Sequence, residues 1–374
     1  VAQPTFLTVV QDIATPHNNV LLQALHARGD VVLSLWYCQP NPAQYGFKED
    51  LANAVVGARY YHPTRPDVKF LWQLLSLPCH HQLLVVGWMN PSTKILLFLL
   101  TLTRRPFAMW FDNPADGLPR SWLKTAVREF FYATVRVSRA QVFAMGRRAV
   151  QFFEQRGFAP SRLTNLPIVV ELPDLQPFLA KRTALRKKYR VPQGGVLLVC
   201  GSRLVPAKGF DLSIQALAIL PKAERQNVRL VIVGKGPEKA RLVALVTKHD
   251  LKAQVYFEEW LDFPDFQALM SASDAYLHPA RFDAWGTSYA ALAQGVPVIG
   301  STQGGSAYEL ITHGKNGWLY EPEDTATLAR LMTNIFTLTE VQKKHLAAAA
   351  LKTMQQWQPA KGAEVLLQHL PETR

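Results

Sequence analysis

The stretch His278-Pro-Ala-Arg-Phe-Asp283-Ala-Trp-Gly286, followed by Ala291-Leu-Ala-Gln-Gly-Val-Pro-Val-Ile-Gly300, decides the fold. It predicts a strand end, a glycine turn, a helix start and a second buried strand before the pair Gly304-Gly305. That order belongs to a parallel sheet with crossover helices. It sets the helix start at Gly286, Thr287 and Ser288 beside the acidic Asp283, at the sheet's edge. Unpaired N–H groups and the helix dipole suit such a place to a phosphate-bearing ligand.

Outward from this stretch the same grammar repeats. Strands are expected at Val196–Cys200, Arg229–Val233, Val255–Phe257, Ala275–Leu277, Pro297–Ile299 and Gly317–Tyr320, with helices between them, including Asp324–Phe336. In the first half, Phe6–Val10, Val31–Tyr37, Leu83–Gly87 and Phe107–Phe111 read as strands, and Asn19–Ala27 as a helix closed by Gly29. Lys124–Gln155 reads as mostly helical, and Pro160–Pro177 as an interdomain linker. The expected architecture is α/β, with two Rossmann-like, doubly wound domains facing across a cleft. The expected domains are 1–170 and 171–355, and a tail of 356–374 crosses back onto the first.

At 374 residues the chain exceeds one ordinary core and fits two domains. Hydrophobic residues make up 48% and charged residues 18%, which excludes a disordered chain. The formal net charge of +13 implies an anionic partner. Twelve Lys and Arg between Lys94 and Arg162 face only Asp112, Asp116, Glu129 and Glu154, so this segment carries most of the excess. Arg120-Ser-Trp-Leu-Lys124 and Phe130-Phe131-Tyr132 mix cations with aromatics there, as helices at an anionic membrane surface do; a solvated basic face is the alternative. No nucleic-acid module is recognisable, so no nucleic-acid partner is expected.

Cys38, Cys79 and Cys200 lack metal-ligand spacing and read as buried thiols of a reducing cytoplasm. The N-terminus lacks the pattern of a signal peptide, and Ile95–Leu100, the most apolar run, is too short to span a bilayer. A cytoplasmic protein, peripheral at the inner face of the membrane, is therefore expected.

Three pieces carry chemistry, each at the carboxyl end of an expected strand. Gly201-Ser202-Arg203-Leu-Val-Pro-Ala-Lys208-Gly209 offers a fork of donors and a point charge to a diphosphate, yet lacks a Walker ending. The second piece is Asp283-Ala-Trp285-Gly286-Thr287-Ser288. The third is Gly304-Gly305-Ser-Ala-Tyr-Glu309, where Glu309 alone would usually cap a helix. Open α/β sheets bind ligands where such pieces converge.

Those pieces, taken with Val233-Gly234-Lys-Gly-Pro237, Gly295-Val-Pro-Val-Ile299 and Glu309-Leu-Ile…Gly314-Lys-Asn-Gly317, resemble the retaining, nucleotide-sugar-dependent glycosyltransferases of family 4, with the GT-B fold. The resemblance spans roughly residues 196–335. More weakly, Thr15-Pro-His17-Asn18-Asn19, Trp88 and Phe107–Asp112 are similar to acceptor domains of members that build bacterial surface polysaccharides. The resemblance implies that Arg203 and Lys208 neutralise the leaving diphosphate, that the Gly286–Ser288 amides cradle a phosphate, and that Glu309 holds the nucleotide side. Gly201, Ser202, Gly234, Trp260 and Trp285 complete the implied donor pocket, and His17, Asn18 and Trp88 the implied acceptor side. Asp283 would steady an oxocarbenium-like state or hold sugar hydroxyls. Asp112 would reach donor sugar or acceptor across the cleft, unless it merely caps the turn before Asn113-Pro114.

Family members carry a carboxylate pair separated by seven residues around this turn. Here Asp283 fills the first position, but Ala291 stands where a Glu would bind the ribose. Tyr289 or Glu309 would have to take that role, or donor binding is altered. No Asp-x-Asp motif occurs, so neither metal nor cofactor is expected beside a nucleotide-diphosphate sugar, with UDP favoured. The expected acceptor is a glycan or polyprenyl-linked saccharide such as a growing O-antigen or capsule. A nucleotide-sugar epimerase and a degenerate glycan- or partner-binding module are the alternatives.

Overall fold

The computed structural model describes residues 4–38, 53–112 and 121–372. The chain forms two compact units, one of Val1–Val169 with Trp357–Arg374, the other of Val170–Gln356. Each is built on an all-parallel sheet. The first unit contains β1 (Thr5–Gln11), β2 (Val31–Tyr37), β3 (Ala58–Tyr60), β4 (Gln82–Val86), β5 (Phe107–Phe111), β6 (Ala140–Ala144) and β7 (Leu163–Asn165). The second contains β8 (Val196–Gly201), β9 (Val228–Val233), β10 (Val255–Glu258), β11 (Ala275–His278), β12 (Val298–Ser301) and β13 (Gly317–Tyr320).

Strand order is β3-β2-β1-β4-β5-β6-β7 in the first sheet and β10-β9-β8-β11-β12-β13 in the second. Both orders reverse direction once, between β1 and β4 and between β8 and β11. The crevice at the carboxyl ends of those strand pairs is where a doubly wound sheet receives ligands. Helices cover both faces of each sheet, which explains why Phe6–Val10, Leu83–Val86 and Val196–Cys200 are almost unbroken apolar runs.

In the second unit, Leu198, Cys200, Leu230, Ile232 and Leu277 of the sheet pack with Phe210, Ile214 and Met332 of the helices. In the first, Val10, Leu83, Val85 and Met109 pack with Phe70, Leu96, Leu100 and Phe153. Each fully buried side chain of this size stabilises its unit by ~1.5–3 kcal/mol. The last helix, Pro359–Gln368, closes the first unit by packing on helix Pro16–Ala27. Gln82 Nε2 also donates to the Pro371 carbonyl at 3.0 Å.

Three expectations need correction. Lys124–Gln155 is mostly helical, but the unexpected strand β6 interrupts it between helices Trp122–Val137 and Arg147–Gln155. Pro160–Pro177 is not wholly linker, because Leu163–Asn165 pairs with β6 as β7. Cys79 is exposed, unlike buried Cys38 and Cys200. Among the described residues no helix is long and apolar enough to cross a membrane. Asn113, Pro114, Asp116 and Arg120 lie outside the described residues.

Gly362 lets the last helix approach its neighbours. A Cβ there would overlap Val169 Cγ1 and lie 3.3 Å from Leu21 Cδ1. The β-branched Val169 cannot swing away, so Gly362→Val is expected to cost ~1–3 kcal/mol through overpacking. A thermal melt of the variant within 1 °C of the parent would refute that close fit.

Candidate functional site

At the β8/β11 switch point, a loop follows each strand, and both are pinned by one buried tyrosine. The Gly201 N–H donates to Tyr276 Oη at 3.1 Å, and the Tyr276 hydroxyl reaches the Gly201 carbonyl at 3.0 Å. Tyr276 also hydrogen-bonds the Thr287 hydroxyl, which ties the start of the next helix to the end of β8. Ser202 donates its N–H to the Val233 carbonyl at 3.0 Å, and Leu204 does the same to Lys235 at 2.8 Å. Gly234 is a glycine because a Cβ there would overlap the Ser202 carbonyl oxygen.

The centre of the site is a buried charge knot. Asp283 is only 6% exposed, and its Oδ2 lies 2.6 Å from Lys208 Nζ and 3.1 Å from His278 Nε2. The other His278 nitrogen, Nδ1, lies 2.7 Å from the Ser288 hydroxyl oxygen. Burial by itself would raise the Asp283 carboxyl, but the His278 bond and the charges of His278 and Lys208 outweigh it. They hold it well below the usual carboxylate range. Asp283 is thus a fixed anion that accepts hydrogen bonds and cannot supply a proton near neutral pH.

The backbone around Asp283 joins a third loop. Its N–H donates to the Gln303 carbonyl at 3.1 Å, and its carbonyl accepts from Gly305 at 2.9 Å. Ser306 donates to the Trp285 carbonyl at 2.7 Å. Gly286, at φ +79°, makes the turn possible in two ways. The left-handed backbone disfavours a side chain, and a Cβ would overlap the His278 ring and lie 2.8 Å from Asp283 Oδ2.

The structure therefore brings Gly201, Ser202, Lys208, Asp283, Trp285, Gly286, Thr287 and Ser288 into one neighbourhood at the carboxyl edge. Arg203 lies in the same loop with its side chain exposed, and among the described residues its guanidinium makes no ion pair. Glu309 is half-buried on the short helix Gly305–Leu310 after β12. Trp260 is not brought there: it follows β10, the edge strand two places from β8, and is exposed. Trp285 is buried, so its indole is not presented at the surface of the site. Ala291 is wholly buried as well, so position 291 offers no group to a ribose.

His278 and Tyr276 are absent from the residues that sequence reasoning selects. His278 stood in plain sight, as the last residue of β11 before Pro279 and five positions ahead of Asp283. The missing signal was side-chain direction, which strand register supplies only after the sheet is built.

In the first unit, the loops after β1 and β4 meet at the other switch point. Asn18 is buried and donates from Nδ2 to Gln11 Oε1 at 3.0 Å. His17 sits in the first turn of the same helix, where burial lowers its imidazole to about 4 and keeps it neutral. Trp88 stacks edge-on against Phe111 at 4.7 Å and packs on Tyr132 at 4.9 Å. Sequence reasoning missed Asp12, which ends this crevice between Asn90, Tyr61 at 3.3 Å and the Met89 N–H at 3.2 Å. Burial raises the Asp12 carboxyl despite those bonds. Asp112 is exposed at the end of β5.

Residues 181–352 match the family described as Glycosyl transferases group 1. The O-antigen biosynthesis glycosyltransferase WclY of Escherichia coli is 32% identical over 145 residues, covering 38% of this chain and 39% of that protein. A GDP-mannose-dependent monoacylated alpha-(1-6)-phosphatidylinositol monomannoside mannosyltransferase of Corynebacterium glutamicum is 32% identical over 180 residues, 46% of each. The chain thus spans less than half the length of these curated relatives. The crystal structure of Anabaena HepE in complex with UDP superposes with a TM-score of 0.76 at 19% identity, covering 98% of this chain and 99% of that one. The fold is that of the GT-B glycosyltransferases.

The Asp283 knot makes a signed pH prediction. A depressed carboxyl contributes stability fully above its unfolded value of ~3.9 and loses it as pH falls towards the folded value. Asp283→Asn should therefore lower the melting temperature at pH 7 by roughly 5–10 °C, as ~3 kcal/mol does in a domain of this size. That gap should narrow below pH ~4. A gap that stays constant from pH 7 to pH 3 would show that the carboxylate charge contributes nothing.

Proposed function

We infer that this chain, whose residues 181–352 form a glycosyl transferases group 1 domain, is a retaining glycosyltransferase. It moves a hexose from a nucleotide-diphosphate sugar to a growing lipid-linked bacterial surface glycan. The observation that carries the reading is the cationic Arg203–Lys208 loop anchored on buried Asp283 at the β8/β11 switch point. WclY and the mannosyltransferase are named for glycan transfer, and HepE binds UDP, which favours UDP here.

In the reaction the bond between the sugar's anomeric carbon and the diphosphate oxygen breaks, and the acceptor oxygen bonds that carbon from the same face. The departing diphosphate takes up the acceptor's proton. Charge develops on that leaving group, and Arg203 and Lys208 are the cations we assign to it. Asp283 holds the Lys208 ammonium in position, and His278 holds Asp283 against the Ser288 turn. Because Ala291 is buried, we assign the ribose to Glu309. On the acceptor side, neutral His17 and the Asp12 crevice are the polar groups at the β1/β4 switch point, with Asp112 at the end of β5.

A thermal-shift panel of UDP, GDP and ADP tests the donor. Saturating UDP at ~100 times its Kd should stabilise the native state by ~2.7 kcal/mol, with GDP and ADP weaker. No shift with any nucleotide would remove the transferase reading. Acceptor-dependent release of nucleoside diphosphate should fall by ~10²–10³ in Arg203→Ala and in Lys208→Ala, and should persist in a metal chelator. Normal turnover in both variants would move the diphosphate elsewhere.

A further inference from the structure

β8 and β11 lie side by side at the switch point, yet they part before their ends. β11 pairs with β8 at Ala275–Leu198 and Tyr276–Val199, with no further pair towards Gly201. The Tyr276 hydroxyl reaches across the gap that opens there. A hydroxyl has one hydrogen to donate and two lone pairs to accept with. At Tyr276 all three are engaged. It donates to the Gly201 carbonyl at 3.0 Å, accepts from the Gly201 N–H at 3.1 Å, and accepts from the Thr287 hydroxyl. Burial holds the phenol well above its ordinary value, so it stays protonated and able to donate at neutral pH.

Those three bonds join two segments that carry the charges of the site. Gly201 is the root of the loop bearing Arg203 and Lys208, and Thr287 follows the Asp283–Gly286 turn. The same two segments are joined again further out. Arg281 and Phe282 donate their N–H groups to the Ala207 carbonyl at 2.9 and 3.0 Å, and Lys208 meets Asp283. Held at root and tip, neither segment can slide past the other. Removing the phenol oxygen frees the root. It strands the Gly201 N–H and carbonyl where the buried ring seals them from water, so the strand end must shift to find partners. That shift carries Arg203 and Lys208 with it.

We propose that the Tyr276 hydroxyl is a positioning group for sugar transfer, fixing the Arg203–Lys208 loop against the Asp283 turn. The proposal rests on the transferase reading, in which those cations meet the charge that develops on the departing diphosphate. Tyr276 is 1% exposed, so it acts on the reaction through these segments alone. A misplacement of about 1 Å at a reacting centre costs about 10²-fold in rate. Because the leaving group's charge is greatest in the transition state, the loss should fall on kcat rather than on donor KM.

Two measurements test it, one of them without substrate. Thermal melts of Tyr276→Phe, Lys208→Met and the double variant form a cycle. Since both changes loosen the same pair of segments, the double variant should lose about 2–4 °C less than the two single losses summed. Losses that add to within about 1 °C overturn the proposal. In acceptor-dependent release of nucleoside diphosphate, run well below the melts, Tyr276→Phe should lower kcat roughly tenfold or more and leave donor KM within about threefold. Gly362→Val, destabilised in the first unit, measures the effect of lost stability alone and should keep the parent kcat. A parent-like kcat in Tyr276→Phe overturns the proposal, as does an equal fall in Gly362→Val. A parent chain without acceptor-dependent release fails the transferase reading instead, and the substrate-free cycle then decides whether Tyr276 fixes the two segments.

Discussion

The ionised carboxylate of Asp283 is the constraint on which the carboxyl edge of the second unit's sheet depends. A carboxylate withdrawn from water costs several kcal/mol unless it is paired and hydrogen-bonded. Here the compensation comes from separate segments: Lys208 from the loop after β8, and His278 from the end of β11. Ser288, at the start of the following helix, fixes the far side of the imidazole. None of these groups can move alone without stranding a buried charge. The knot therefore locks two loops and a helix start into one geometry.

That geometry has a steric counterpart. Gly286 and Gly304 both lie against the His278 ring, and a Cβ at Gly304 would come within 2.7 Å of its Cε1. The imidazole fills the space that two side chains would otherwise occupy. The same turn places Arg281 on the far side, where its guanidinium donates to both oxygens of Asp211 at 2.7 and 3.0 Å. Arg281 thereby fastens the chain after β11 to helix Phe210–Ile219. Charge pairing and close backbone approach act together, which is why the turn tolerates little change in either.

Much of the fold was legible because parallel strands covered on both faces must be apolar throughout. Ten strands announced themselves as short apolar runs bounded by turn residues. Three did not. Ala140–Ala144 contains Ala and Gln, which favour helix locally, and pairing with β5 and β7 makes it a strand. Ser138 and Gly146 bracket it and were the available signal. Ala58–Tyr60 and Leu163–Asn165 are three residues each at the sheet's two edges, too short to show a period. On the first unit's surface, the cations and aromatics of Trp122–Val137 were readable in sequence. Their outward direction was not, because both sides of that helix are apolar.

The sequence by itself determined the alternation of strand and helix, the glycine loops at strand ends, and the residues those loops carry. These are local properties, set by side-chain period and by backbone freedom. Tertiary structure decided that β8 lies beside β11, so that Lys208 reaches Asp283 and His278 turns towards the same carboxylate. Strand order follows from burial and the right-handed crossover, and charge burial follows from what the assembled sheet excludes from water. A pattern read along the chain contains neither. For that reason Asp283 could be singled out in advance, while the histidine that holds it could not.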